Sequence, residues 1–252
     1  MTSSTNLAPL LVALRLTPEQ QELIRERTGL TVPTLPYESA APVARYQFAG
    51  IELLVDRGVF SPSPATERAV GLVLEVARSY ANPLIIEVGT GCGAVALAVA
   101  TALSQASVIA TEISHAALEC ARRNRDRLRL RNVSLRRGSL LSPVPKRLRG
   151  QASVIVANLP YIPPRLRESA EGFFPDGTAI GLGEDGLELI RDVAKGARDF
   201  LQPGGSLVLQ LAGFQWPPFT EELRRLGYEV PVIDIQHANA PLAHRVFWPG
   251  AA

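Results

Sequence analysis

Three glycines at alternate positions, Gly89, Gly91 and Gly93, lie in "IIEVGTGCGAVALA", between a β-branched run and an apolar helical one. Glycine at such a strand-to-helix turn lets the backbone bend tightly and come close to a ligand, with the helix N-terminus just beyond. Thr90 and Cys92 fill the gaps and an acid, Glu87, precedes them. A dinucleotide fingerprint would space its glycines Gly-x-Gly-x-x-Gly, to leave room for a pyrophosphate. The next β-branched run, "VIATEIS", closes on Glu112 and Ile113. An acid about twenty residues after the glycines accepts hydrogen bonds from both hydroxyls of an adenosine ribose and disfavours a 2′-phosphate. In "RGSLL", Ser139 and Leu140 stand at the exit of the following strand, a small hydroxyl and an apolar side chain. Last, "VIVANLPYIPP" halts a strand on Asn158-Leu159-Pro160-Tyr161, an amide and a phenol flanking a ring without an N–H. A structural glycine turn, a surface acid and a simple prolyl break are the competing readings of these features.

The elements that must hold these residues follow a regular order. "PLIIEVG", "SVIATEI", "VSLRRGSL", "ASVIVANLPY" and "GGSLVLQLA" read as strands, and "GAVALAVATAL", "SHAALECARRNRDRL", "GLELIRDVAKGARDFL" and "FTEELRRLG" as helices between or after them. "YEVPVIDI" and "HRVFWPG" complete a set of seven strands. Apolar strands alternating with amphipathic helices predict a doubly wound, mostly parallel α/β sheet with ligands at the carboxyl ends of its strands. All the residues above fall at such exits. Upstream, "YQFAGIELLVDRGVF" predicts a β-hairpin, and Ser63, Pro64 and Glu67 open an amphipathic helix. A short helix from Pro18 to Thr28 and the Pro-rich "LTVPTLPYESAAP" linker come first. The division is thus 1–45, a short helical extension with linker, and 46–252, a hairpin with the α/β domain.

Composition excludes several classes. With 46% hydrophobic and 20% charged residues the chain can bury a core, so extensive disorder is excluded. Cys92 and Cys120 form no spaced framework for disulfides or zinc. No secretory signal or bilayer-length run is seen, which points to the cytoplasm. His115, His237 and His244 are too scattered for a metal site or a triad. From Arg122 to Arg149 the chain is rich in arginine with Asp126 the lone acid. The strip can track phosphates or an acidic partner, or be a solvated helix face.

The glycine spacing resembles the first motif of Rossmann-like S-adenosylmethionine-dependent methyltransferases. Asn158-Leu159-Pro160-Tyr161 resembles the fourth motif of those acting on planar nitrogens. A conjugated NH₂ is a poor nucleophile, and gripping both its hydrogens fixes its aim. The Asn158 side-chain oxygen and the Leu159 carbonyl can each accept one, Pro160 stiffens the turn, and Tyr161 supplies a flat wall. "GVFSPSPATE", "EVGTGCGAVALA", "ANLPYIP", "GLGEDGLELIRDV" and "LQPGGSLVLQLA" together resemble the HemK/PrmC family, which methylates the Gly-Gly-Gln glutamine of peptide release factors. The resemblance runs from about Phe48 to near the C-terminus. It implies S-adenosyl-L-methionine as cofactor, S-adenosyl-L-homocysteine as product and a release factor as partner. Glu87, Gly89, Thr90, Gly91, Cys92, Gly93, Glu112, Ile113, Ser139, Leu140 and Asn158 then contact the cofactor, and Asn158 to Tyr161 clamp the substrate.

The chain also departs from that pattern. Ser63 stands where the family has arginine, Phe174-Pro175 where it has Glu-Pro, and Leu209 to Ala212 read "LQLA" for "LEIG". Leu159 replaces the first of two prolines, and the region before the hairpin is shorter than the family's helical domain. These changes fit a different or smaller acceptor, such as a small-molecule amine or amide, and fit drift equally. Other readings are an RNA adenine methyltransferase using the arginine strip, and a cofactor-binding protein without turnover.

Overall fold

The computed structural model describes residues 43–167, 179–231 and 241–250. The Pro18 to Thr28 helix, the linker and Phe174-Pro175 lie outside the described residues.

β1 (Val43–Phe48) and β2 (Ile51–Asp56) form the expected antiparallel hairpin, turning at Ala49 and Gly50. α1 (Pro64–Ala77) follows, with proline in its first turn, where the missing N–H costs no helical bond. The Ser63 hydroxyl accepts from the Thr66 amide, and Thr66 rather than Glu67 returns a bond to the Ser63 amide. Then come β3 (Leu84–Val88), α2 (Ala94–Ala102), β4 (Ser107–Glu112), α3 (His115–Arg127), β5 (Val133–Arg137) and β6 (Ala152–Ala157). α4 (Glu188–Phe200), β7 (Leu201–Ala212), α5 (Trp216–Arg225) and β8 (Pro241–Phe247) complete the fold. α5 starts at Trp216, upstream of the "FTEELRRLG" expectation, because Pro217 and Pro218 fit a first helical turn as well as a loop.

The main sheet has the order β5-β4-β3-β6-β7-β8, parallel except for the antiparallel β7–β8 pair. Seven strands were expected; six are seen among the described residues. Of "YEVPVIDI", only the antiparallel bridge from Glu229 to Phe247 lies within them. The order reverses between β3 and β6, so connections leave these neighbours in opposite directions and open a crevice at their carboxyl ends.

Strand alternation sends side chains to two cores. Ile86, Val88, Ile155 and Ala157 face α4 and α5, where Ile190, Val193, Trp216 and Phe219 are fully buried. Ile85, Val154, Val156 and Val208 face α1 and α2. Each such large side chain contributes about 1.5–3 kcal/mol on burial. α2 lies on β4 and β5 between α1 and α3, also touching β2, and is buried from Ala94 to Ala100, which explains its uniformly apolar sequence. The hairpin is tied to the domain by Asn124 of α3. Its carboxamide accepts from the Leu54 amide (2.8 Å) and donates to the Leu54 carbonyl (2.7 Å), as a strand neighbour would.

Candidate functional site

A cavity of about 380 Å³ opens at the β3/β6 crevice, within the ~300–1,000 Å³ span of small-molecule sites. Glu87, Gly89, Thr90, Gly91, Cys92, Glu112, Ile113, Ser139, Leu140 and Asn158 to Tyr161 all line it. Residues about seventy positions apart in the chain thus meet because β3 and β6 are parallel neighbours in register, Val88 beside Ala157. Gly93 is the exception among the expected residues. It precedes α2 and packs against Leu97 and Ala121 rather than the cavity.

The glycine loop is anchored by its own amides. Gly89 and Thr90 both donate to the Thr111 carbonyl (2.9 and 3.0 Å), Gly93 to the Thr90 carbonyl (2.9 Å) and Gly91 to Glu112 Oε2 (2.9 Å). Four of its five amides are therefore committed inside the protein. A pyrophosphate would find few donors there, in agreement with the absence of the dinucleotide spacing.

The two acids differ in role. Glu87 is 4% exposed and its Oε2 accepts from Thr90 Oγ1 (2.5 Å) and the Ala96 amide (2.9 Å). Gly93 has no side chain to cap α2, so a carboxylate from β3 serves its third amide. Burial pushes the Glu87 carboxyl up from 4.5 to about 7, against the pull of these two bonds, and the charge of Glu112 adds to the rise. Glu112 Oε1 accepts from the Ser114 amide (2.9 Å) as Oε2 does from Gly91. One lone pair on each oxygen is left for a ligand. Beside it Ile113 is 66% exposed, a large apolar side chain on the cavity rim. Leu140, also on the cavity wall, is in the left-handed region (φ 47°), a conformation an L side chain holds only when its surroundings impose it.

Asn158 Nδ2 donates to Thr66 Oγ1 (3.4 Å), while Asn158 Oδ1 and the Leu159 carbonyl receive no hydrogen bond from the described residues. The turn that presents them is held from behind. Ile162 donates to the Ala179 carbonyl and Gly181 to the Ile162 carbonyl. Gly186, from "GEDGL", passes so close that a Cβ there would lie 2.4 Å from the Tyr161 carbonyl oxygen. Buried Gln215 joins three segments: Nε2 donates to the Tyr161 (2.7 Å) and Asp185 (2.8 Å) carbonyls, and Oε1 accepts from the Ala212 amide (3.0 Å). Arg191 clamps Asp185 and Glu222 together, and holds the Asp185 carboxyl below its usual range. Burial pushes the Tyr161 phenol up to about 12, against a hydrogen bond from Gln210, so it stays neutral. Burial likewise raises both cysteine thiols, which makes them unreactive.

Sequence reasoning did not single out Val59, Phe60, Pro62 and Thr66, which form the wall between the hairpin and α1. Their signal was "GVFSPSPATE" itself, a capped helix start without an obvious partner. It also passed over Asn124, hidden among arginines, whose Nδ2 additionally donates to the Cys92 carbonyl of the glycine loop (3.0 Å). The arginine strip is partly internal. Of its ten arginines, Arg122, Arg123, Arg125, Arg127 and Arg149 each pair with a carboxylate. Among the described residues no group of histidine, cysteine and acidic side chains could hold a metal ion, and no helix is long and apolar enough to cross a membrane.

An open, mostly parallel sheet with a ligand cavity at its switch point, one glycine loop and an acid on the next strand define a Rossmann-like methyltransferase. A methyltransferase small domain profile matches residues 50–170. The L11 methylase of Lactobacillus delbrueckii superposes with a TM-score of 0.55 at 21% identity, over 78% of this chain and 84% of that one. P. horikoshii TYW2 does so with a TM-score of 0.56 at 18% identity, over 93% and 85%. At such identities these matches establish the fold. The chain belongs to the release factor glutamine methyltransferase (HemK/PrmC) family. It is 38% identical to the Deinococcus radiodurans enzyme over 74% of this chain and 66% of that protein. It is 32% identical to the Streptococcus pneumoniae enzyme over 82% and 75%. Against the Deinococcus and Streptomyces coelicolor relatives, the match spans just under two thirds of their length.

Proposed function

We propose that the protein transfers a methyl group from S-adenosyl-L-methionine to a planar amide nitrogen, the glutamine side chain of a peptide release factor. Family membership supports the reaction class. The observation that carries the site is the pair of open acceptors, Asn158 Oδ1 and the Leu159 carbonyl, on consecutive residues of the cavity wall.

The residues present fit the cofactor: two acids, an occupied glycine loop that leaves no phosphate cradle, and apolar Phe60, Ile113 and Leu140 for a flat base. When bound, it supplies an electrophilic methyl carbon whose bond electrons leave with a neutral sulfide. Glu112 accepts from ribose hydroxyls with its remaining lone pairs. Asn158 and Leu159 take one N–H each and so orient the acceptor nitrogen, which converts a bimolecular encounter into a positioned one. Tyr161 and Pro160 bound its plane. No side chain acts as a base, because the nitrogen releases its surplus proton to water, and the neutral Tyr161 phenol is not one.

The test is incubation of the protein with a methyl-labelled donor and a release factor, followed by peptide mapping. Label on the Gly-Gly-Gln glutamine is expected. Its absence, with transfer to a small amine or amide instead, overturns the assigned acceptor.

A further inference from the structure

We propose that Thr66 is a positioning residue for methyl transfer: its hydroxyl sets which end of the Asn158 carboxamide faces the cavity. The inference rests on the reading that Asn158 Oδ1 receives an N–H of the acceptor.

A carboxamide is nearly symmetric in shape, so packing alone does not distinguish its oxygen from its nitrogen. The difference must come from a neighbour with a defined donor or acceptor. Among the described residues, the only hydrogen bond of the Asn158 side chain runs from Nδ2 to Thr66 Oγ1 (3.4 Å). Thr66 is 3% exposed, so water does not readily replace that partner.

The start of α1 accommodates Thr66 as an acceptor. At the start of α1, the Ser63 amide donates to Thr66 Oγ1 (3.3 Å) and the Thr66 amide donates to Ser63 Oγ (3.4 Å). The two hydroxyls are 3.2 Å apart, and either can donate to the other. A hydroxyl oxygen accepts two hydrogen bonds and donates one. Thr66 Oγ1 takes one from Ser63 N–H and one from Asn158 Nδ2, so its own proton goes to Ser63 Oγ. The helix cap thus gives the Thr66 proton an acceptor in Ser63 Oγ, which lets Thr66 face β6 as an acceptor and hold the NH₂ end of Asn158. Oδ1 is left on the cavity side, beside the Leu159 carbonyl. With the amide reversed, a donor would face the substrate NH₂ and repel it.

Thr66→Val keeps the shape and removes the hydroxyl. The expected result is a fall in kcat of about 10- to 100-fold, the scale of a mispositioned reacting group, with donor affinity by calorimetry within threefold of the parent. Thr66→Ser should recover most of kcat. In parallel, ¹H–¹⁵N spectra should show the Asn158 side-chain NH₂ pair shifted and broadened in Thr66→Val but not in Thr66→Ser. Unchanged kcat in Thr66→Val overturns the proposal. So does loss of donor affinity in step with kcat, which would make Thr66 a donor contact, or a defect that serine does not restore. If the unaltered protein methylates no nitrogen acceptor, the functional reading fails by itself, and an unmoved Asn158 NH₂ signal in Thr66→Val separately refutes the contact.

Discussion

The Cδ2 atom of Leu159 lies 2.4 Å from the point that a Cβ on Gly89 would occupy. The first glycine of the loop is therefore a packing partner of the acceptor turn as well as a bend, and its φ of +73° independently disfavours a side chain. Gly89→Ala should push Leu159 outward and disturb both halves of the site. Donor affinity and turnover should each fall by about tenfold or more. The Gly89→Ala/Leu159→Ala pair should recover part of the loss, and strict additivity in that cycle would show that the two do not couple.

Asn158→Ala removes one of the two open acceptors and leaves the loop and Glu112 untouched. Turnover should drop at least ~100-fold with donor binding nearly unchanged. Parallel titration calorimetry and single-turnover assays separate the two quantities.

Gln215 satisfies one amide and two carbonyls from three segments. Its replacement by leucine leaves buried polar groups without partners, at a cost of about 2–4 kcal/mol in urea unfolding. Because one of those carbonyls belongs to Tyr161, turnover should fall even where the variant remains fully folded. Activity equal to the parent's at low temperature would rule out this link.

Asn124→Ala should act at a distance. It frees the Leu54 amide and the Cys92 carbonyl and leaves the Leu54 carbonyl only the weak Cys120 thiol donor, so the hairpin should loosen before the sheet does. Hydrogen exchange is expected to rise in β1 and β2 with a stability loss of about 2–3 kcal/mol.

Glu87 carries a pH signature. Its folded value is raised from 4.5 to about 7, so between these the folded state binds the extra proton and stability from this group falls as pH rises. The contribution is full below pH 4.5 and lost above about 7. Glu87→Gln keeps an acceptor for Thr90 and Ala96 but cannot ionise. Relative to the parent, it should gain on the order of 3 kcal/mol between pH 4.5 and 8. A constant difference across that range would contradict the assignment.

Much of this protein could be read from its residue order because the relevant signals are local. Apolar runs alternating with amphipathic helices specify parallel strands, Ser63 and Ser114 cap the helices that follow them, and the glycines mark the turn. Their placement at strand exits brought nearly every expected site residue to one cavity. Gly93 is the exception, and for a physical reason: it faces helix packing because α2 must begin there. Of the expected seventh strand, only the Glu229–Phe247 bridge lies within the described residues.

Tertiary structure alone decided the pairings between distant segments. Nothing near Glu87 in the chain indicates that it caps α2, and Asn124 looks like one polar residue among arginines until the hairpin docks on it. Thr66 and Asn158 are brought together only when α1 packs across β6. Local order selects elements through periodicity and caps, but a hydrogen-bond partner far along the chain is chosen by how those elements stack.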